Sequence, residues 1–333
     1  MTYKILCLSV FGGCLATATI AAPVDVFSEV DYTHAFEINS GSMPDGIVFS
    51  LAEVLERSSD ASTDLDAPVT NVIDVPSGQV GELYTDPPTP YFDRRGIAET
   101  TPDNDHAARA SYNVNILQVG GDSQAGLSIV SREVDNEGAA EVISTDGSVN
   151  GSGASDFSLR RVYGFENQGP GLVTFNIAGT FSAEVLAGFD GGAGTGFARS
   201  SLSYGLEIAP TDGVLVMHSA TAPYLTDIED SHQDAFVTEL LDIGEDGFDF
   251  SASASVFGPG GPVDATYSGS FSYEFQFVMA SGASFTLTDR FTQINAVDYI
   301  APTTPVPLPA SLPLLVVGIC GLAGAARLRR KQA

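Results

Sequence analysis

TYSGSFSYEFQF, residues 266–277, alternates between two kinds of side chain. Tyr267, Phe271, Tyr273, Phe275 and Phe277 fall on one side, and Thr266, Ser268, Ser270, Ser272, Glu274 and Gln276 on the other. Such period-two alternation predicts a half-buried β-strand. Ser281-Gly282 then offers a turn before Phe285, Leu287 and Phe291, so 266–292 reads as a β-hairpin. The aromatic stripe reads as core.

The same pattern recurs upstream. In 173–185, Phe175, Ile177, Phe181, Ala183 and Val185 oppose Thr174, Asn176, Thr180, Ser182 and Glu184. In 198–208, Ala198, Leu202, Tyr204, Leu206 and Ile208 oppose Arg199, Ser201, Ser203 and Glu207. Phe248, Phe250, Ala252, Ala254 and Val256 form a third face. Strands with one polar face suit antiparallel sheets packed on each other. The expected fold is all-β, a jelly-roll-like antiparallel β-sandwich. An N-terminal signal helix and a C-terminal transmembrane helix flank it.

The first half is less regular. Phe36–Ile38, Gly46–Leu55, Tyr112–Val119 and Leu127–Val134 read as strands. Residues 56–110, rich in Asp, Ser, Thr and Pro, read as a long loop or partly disordered insert. Asp234 to Leu241 reads as a short helix capped by Asp230 or Ser231. The body, 22–300, has room for one large β domain or two smaller ones.

Charge is the strongest bulk signal. Between the terminal segments there are nine arginines and no lysine against all 42 acidic residues, so 9 − 42 = −33. Such a surface repels nucleic acid and anionic lipid head groups. It serves solubility, or divalent-cation binding. Cys7, Cys14 and Cys320 all lie in the terminal segments. The body therefore has no disulfide and must be held by packing.

Residues 1–21 read as a secretory signal peptide, with Lys4 as its basic start and an apolar stretch from Ile5 to Ala18. Small residues place the signal-peptidase cut between Ala21 and Ala22. At the other end, 301–333 carries Val306-Pro307-Leu308-Pro309-Ala310, then an apolar run, then Arg327, Arg329, Arg330 and Lys331. The uncharged residues 310–326 span about 26 Å as a helix, at the short end for crossing a bilayer. The basic cluster would stay cytoplasmic and leave the body outside.

This order of motif, apolar helix and basic end resembles the VPLPA-CTERM sorting signal, a variant of the PEP-CTERM tails of Gram-negative bacteria. The resemblance covers about thirty residues of the 333. It implies recognition by an exosortase-type membrane transpeptidase or protease and cutting near Val306–Ala310. The body would then be released or attached at the cell surface. It implies no activity for the body.

Chemistry is sparse. Gly121-Asp122-Ser123 and Asp103-x-x-His106 resemble esterase strings, but in the reverse of the order that family uses. Four histidines without cysteine or H-E-x-x-H give no zinc signature. Asp242-Ile243-Gly244-Glu245-Asp246-Gly247 resembles the start of a Ca²⁺ loop through Asp242 and Asp246, although Gly244 and Ser253 break the EF-hand pattern. Asp227 and Asp230 belong to a second carboxylate cluster. Structural Ca²⁺ is thus the one cofactor to look for. The expected protein is a secreted, cell-surface or matrix β-sandwich with a structural or adhesive role and no catalysis. The alternatives are a module binding extracellular polysaccharide, with or without Ca²⁺, and an extracellular hydrolase.

Overall fold

In the computed structural model the described residues run from 22 to 302, apart from 39–43, 67–71, 80–90, 102–104, 124–125, 192–193, 222–224, 231–233 and 260–261. The expected signal helix, at 1–21, and transmembrane helix, at 310–326, lie outside them. The described residues form antiparallel strands: β1 (Val24–Ile38), β2 (Ile47–Leu65), β3 (Val72–Gln79), β4 (Tyr91–Thr100) and β5 (His106–Ser123). There follow β6 (Gly126–Ser144), β7 (Gly151–Asn167), β8 (Val173–Gly191), β9 (Thr195–Pro210) and β10 (Val214–Thr221). The last are β11 (Leu225–Asp230), β12 (Ala235–Gly244), β13 (Gly247–Pro259), β14 (Val263–Met279) and β15 (Ser284–Ile300).

Two sheets result. One is nine-stranded in the order β10-β14-β8-β1-β6-β5-β4-β3, with β11 also on β14. The other is six-stranded in the order β12-β13-β9-β15-β7-β2. Their apolar faces meet. Phe271 pairs with Phe181 and Phe277 with Phe175 across β14 and β8, so the aromatic stripe becomes a double row. Rings of the other sheet pack into it: Phe250 lies 4.7 Å from Phe181, and Phe248 meets Phe271 edge-on at 5.1 Å. Tyr32 of β1 meets Phe291 at 5.3 Å. Tilted and edge-on ring pairs add about 0.5–1.5 kcal/mol each beyond the area they bury.

The expected 266–292 hairpin is corrected. β14 and β15 belong to different sheets, and residues 280–283 arch from one to the other. Phe277 and Phe285 stack at 4.4 Å across the interface rather than side by side on one face. Both arrangements demand the same alternation and the same turn. What separates them is that β8 and β10 already occupy both edges of β14.

Two further expectations change. Residues 56–110 contribute the end of β2, all of β3 and β4, and the start of β5, rather than a long loop. Pro76 is accommodated because β3 is an edge strand, paired on one side only. Residues 235–244 are strand β12, not a helix. They pair with β13 along their whole length, and Thr238 and Ser253 hydroxyls bond at 2.8 Å. Half-burial of Val237, Leu241 and Ile243 against the core outweighs the local helix signal.

Polar groups are also buried in the core. Arg161 and Asp289 are directly paired on β7 and β15, each 1% exposed. The guanidinium donates from Nε to Oδ1 at 3.2 Å and from Nη2 to Oδ2 at 2.9 Å. His34, fully buried on β1, bonds Tyr273 Oη through Nε2 at 2.7 Å and Tyr204 Oη through Nδ1 at 2.8 Å. Those two tyrosines lie in opposite sheets, so the imidazole ties the layers together. Further along, Gln293 and Asn295 reach β6 at Gly138, where a Cβ would collide with both amide nitrogens.

Phe271→Ala should lower stability by about 3–5 kcal/mol, read by chemical denaturation; an unchanged midpoint would refute its place in the core. Arg161→Met should cost about 3–5 kcal/mol by stranding the Asp289 carboxylate, and adding Asp289→Leu should recover most of that loss.

Candidate functional site

The residues of β1 that do not face the core are Asp25, Phe27, Glu29, Asp31, Thr33, Ala35 and Glu37. Central position in the nine-stranded sheet gives each a paired residue on both sides. Asp25 lies opposite Asp190 of β8, and Asp31 lies between Glu184 of β8 and Glu137 of β6. Like charges placed directly opposite destabilise a sheet. Here they accumulate on one face.

Burial raises the Asp25 carboxyl to about 6, with help from Glu141 and Asp190. Its Oδ1 is buried and has no hydrogen-bond partner. Burial also raises Glu29, followed by the charges of Glu184 and Glu137. Arg109 of β5 is the counterweight. It donates from Nε to Glu99 at 3.1 Å and from Nη1 to Glu141 at 3.2 Å, and the Glu99 bond leads in raising its pKa. The guanidinium side chain is half exposed, so each bridge contributes at most about 1 kcal/mol.

Between these charged rows runs a row of shorter side chains, with Ala139 and Ser111 between Glu29 and Ile97. The result is a depression of about 420 Å³ whose rim includes Glu29, Glu99, Arg109, Asn113 and Glu137. Carboxylate acceptors alternate there with amide, hydroxyl and guanidinium donors. That arrangement can hydrogen-bond a hydroxyl-rich ligand, and its excess of carboxylates favours a cationic one.

Most of the residues singled out by sequence stand elsewhere. Val306, Pro307, Leu308, Pro309 and Ala310 lie outside the described residues, as do Arg327, Arg329, Arg330, Lys331 and Ala21. Ala22 is exposed, two residues before β1. Asp242 and Asp246 belong to the β12–β13 hairpin, where Asp242 pairs with Asp249 and the loop is only Glu245-Asp246. The tight return is closed by Gly247, whose φ of 128° disfavours a side chain. Asp227 and Asp230 lie on β11, opposite Ser268 and Ala265 of β14. Among the described residues no group of three His, Cys, Asp or Glu side chains is placed to hold a metal ion.

The esterase-like strings are separated. His106 opens β5 and Ser123 closes it, about 55 Å apart at ~3.3 Å per residue. His106 Nδ1 instead bonds Ser144 at 3.0 Å.

The acidic face escaped sequence reading although its signal was present. Val24 to Glu37 alternates between core positions and outward positions, the latter acidic or polar except for Phe27 and Ala35. Which carboxylates become neighbours depends on the β8 and β6 registers, which periodicity does not contain. Compared with known proteins, the chain matches no family model and no curated sequence. Among the described residues no helix is long and apolar enough to cross a membrane.

The raised Asp25 pKa sets a pH dependence. Between about 4 and 6 the folded protein holds more protons at this site than the unfolded chain. Stability therefore falls as pH rises through that window, and the penalty is complete above about 6. Asp25→Asn should raise the melting temperature at pH 7 and flatten its change between pH 4 and 6. An identical pH profile for variant and parent would overturn the assignment.

Proposed function

We propose that this is an exported protein of the cell surface or extracellular matrix, with a structural or adhesive role and no catalysis. Its body is a jelly-roll-like β-sandwich, in which the chain passes from sheet to sheet along β7-β8-β9-β10 and β13-β14-β15. A signal peptidase removes residues 1–21. An exosortase-type membrane enzyme processes the tail at Val306–Ala310, while the helix at 310–326 and the basic end hold the intermediate in the inner membrane. The observation that carries this reading joins sequence to fold. Among the described residues strand pairing runs from Val24 to Ile300, and both proposed cuts lie beyond these bounds in the sequence. Processing would leave the body whole.

The depression beside Arg109 favours a second reading, binding of extracellular polysaccharide. Asn113, Ser111 and the flanking carboxylates would meet sugar hydroxyls there. Structural Ca²⁺ remains a candidate on this reading.

Intact mass and location of the native protein, in cells with and without the exosortase-type enzyme, test the main reading. The expected result is a body ending near Val306–Ala310, found outside only when the enzyme is present. A full-length C-terminus in the membrane of both strains would overturn processing and leave a plain anchor.

A further inference from the structure

The outward face of the six-stranded sheet differs in kind from the acidic face of the other sheet. Strand registers set its side chains in rows across the strands. In one row Ser251 of β13 pairs with Ser203 of β9, Ser203 with Thr292 of β15, and Thr292 with Ser158 of β7. These hydroxyl residues span three strand spacings, about 14 Å at ~4.8 Å each. The Thr292 and Ser158 hydroxyls bond at 2.9 Å. In the adjoining row Arg290 of β15 pairs directly with Arg160 of β7. Like charges set opposite one another destabilise a sheet. The body has nine arginines to distribute among 42 acidic residues, and two of them stand side by side here.

Arg290 is held in position. On its other side lies Gly205 of β9, and beyond Gly205 stands Asp249 of β13. Arg290 Nη2 donates to Asp249 Oδ1 at 2.9 Å over the glycine, where a Cβ would strike both Asp249 Oδ1 and Arg290 Nε. Glu207 Oε2 lies 3.7 Å from Nη1. The Arg290 side chain is 52% exposed, and its guanidinium has more N–H donors than these contacts use. Ser158, Arg160, Ser203, Arg290 and Thr292 line one depression of about 120 Å³. It joins two cations to a line of hydroxyls, whereas the depression beside Arg109 includes Glu29, Glu99 and Glu137.

We propose that the Arg160–Arg290 depression binds the carboxylate of an acidic polysaccharide, a chain that bears uronate sugars. The planar fork of a guanidinium matches the two oxygens of a carboxylate. The hydroxyl row running on to β13 supplies donors and acceptors for the sugar units that follow, which a lone small carboxylate would not use. The body's charge of −33 repels such a polymer at long range, so recognition rests on these short contacts and on salt to screen the repulsion. The site requires neither processing of the tail nor the depression beside Arg109, and shares only the class of ligand with the second reading above.

Titration calorimetry of the full-length protein in detergent, with oligogalacturonate in about 0.15 M salt, tests this. The oligomer should bind, and its fully methyl-esterified, uncharged form should bind about tenfold more weakly or worse. Arg160→Gln and Arg290→Gln should each weaken binding about tenfold. Neither side chain is fully buried, so both variants should melt close to the parent. Ser203→Asp leaves both arginines in place and should abolish binding by setting a carboxylate in the depression. No binding of the oligomer, or equal binding of its charged and esterified forms, would overturn the proposal. Monogalacturonate binding as tightly as the oligomer would overturn the polysaccharide and leave a pocket for free carboxylates. Loss of binding in Arg109→Gln, with the Arg160 and Arg290 variants unaffected, would overturn this site and move the ligand to the other sheet.

Discussion

The aromatic interface between the two sheets is the contact on which everything else rests. A body with no cysteine and a charge of −33 has neither crosslinks nor favourable long-range electrostatics to hold it. Cohesion comes from rings such as Phe181, which touches Tyr32 on its own sheet and Tyr204 and Phe250 on the other. Burying aromatic area of this size is the largest favourable term available to such a chain. The self-repulsion of the surface acts against it and weakens with salt.

Within that apolar interface the polar exceptions select the register. His34 can bond both tyrosines only if β1 sits at one height relative to β9 and β14. Arg161 and Asp289 impose the same demand on β7 and β15. Gly138 adds a steric one, because only a residue without Cβ leaves room for the amides of Gln293 and Asn295. Long strands of alternating hydrophobicity slip easily, since a two-residue shift preserves the facing pattern. Directional groups at fixed points make such slips costly.

The outer faces are where a function has room. On the nine-stranded sheet the carboxylates of β1, β6 and β8 are crowded enough to raise Asp25 and Glu29. A sheet optimised for stability alone would avoid opposing like charges, as Asp25 with Asp190 and Asp31 with Glu184 do not. The depression beside Arg109 lies between these rows.

Much of the architecture was legible in single stretches of sequence. Residues 173–185, 198–208, 248–256 and 266–277 alternate with period two, and this alone dictates strand, buried face and all-β class. The terminal segments carry motifs that resemble export and sorting signals, and that resemblance is likewise local in the sequence. Only tertiary structure decided that 266–292 is an arch between sheets, that 235–244 is a strand, and that much of 56–110 pairs into the nine-stranded sheet. It also decided that Asp25, Asp190 and Glu141 form one charged cluster. The reason is common to all four. Alternation records which side chains are buried, whereas partner and register are set by contacts between residues far apart in the chain.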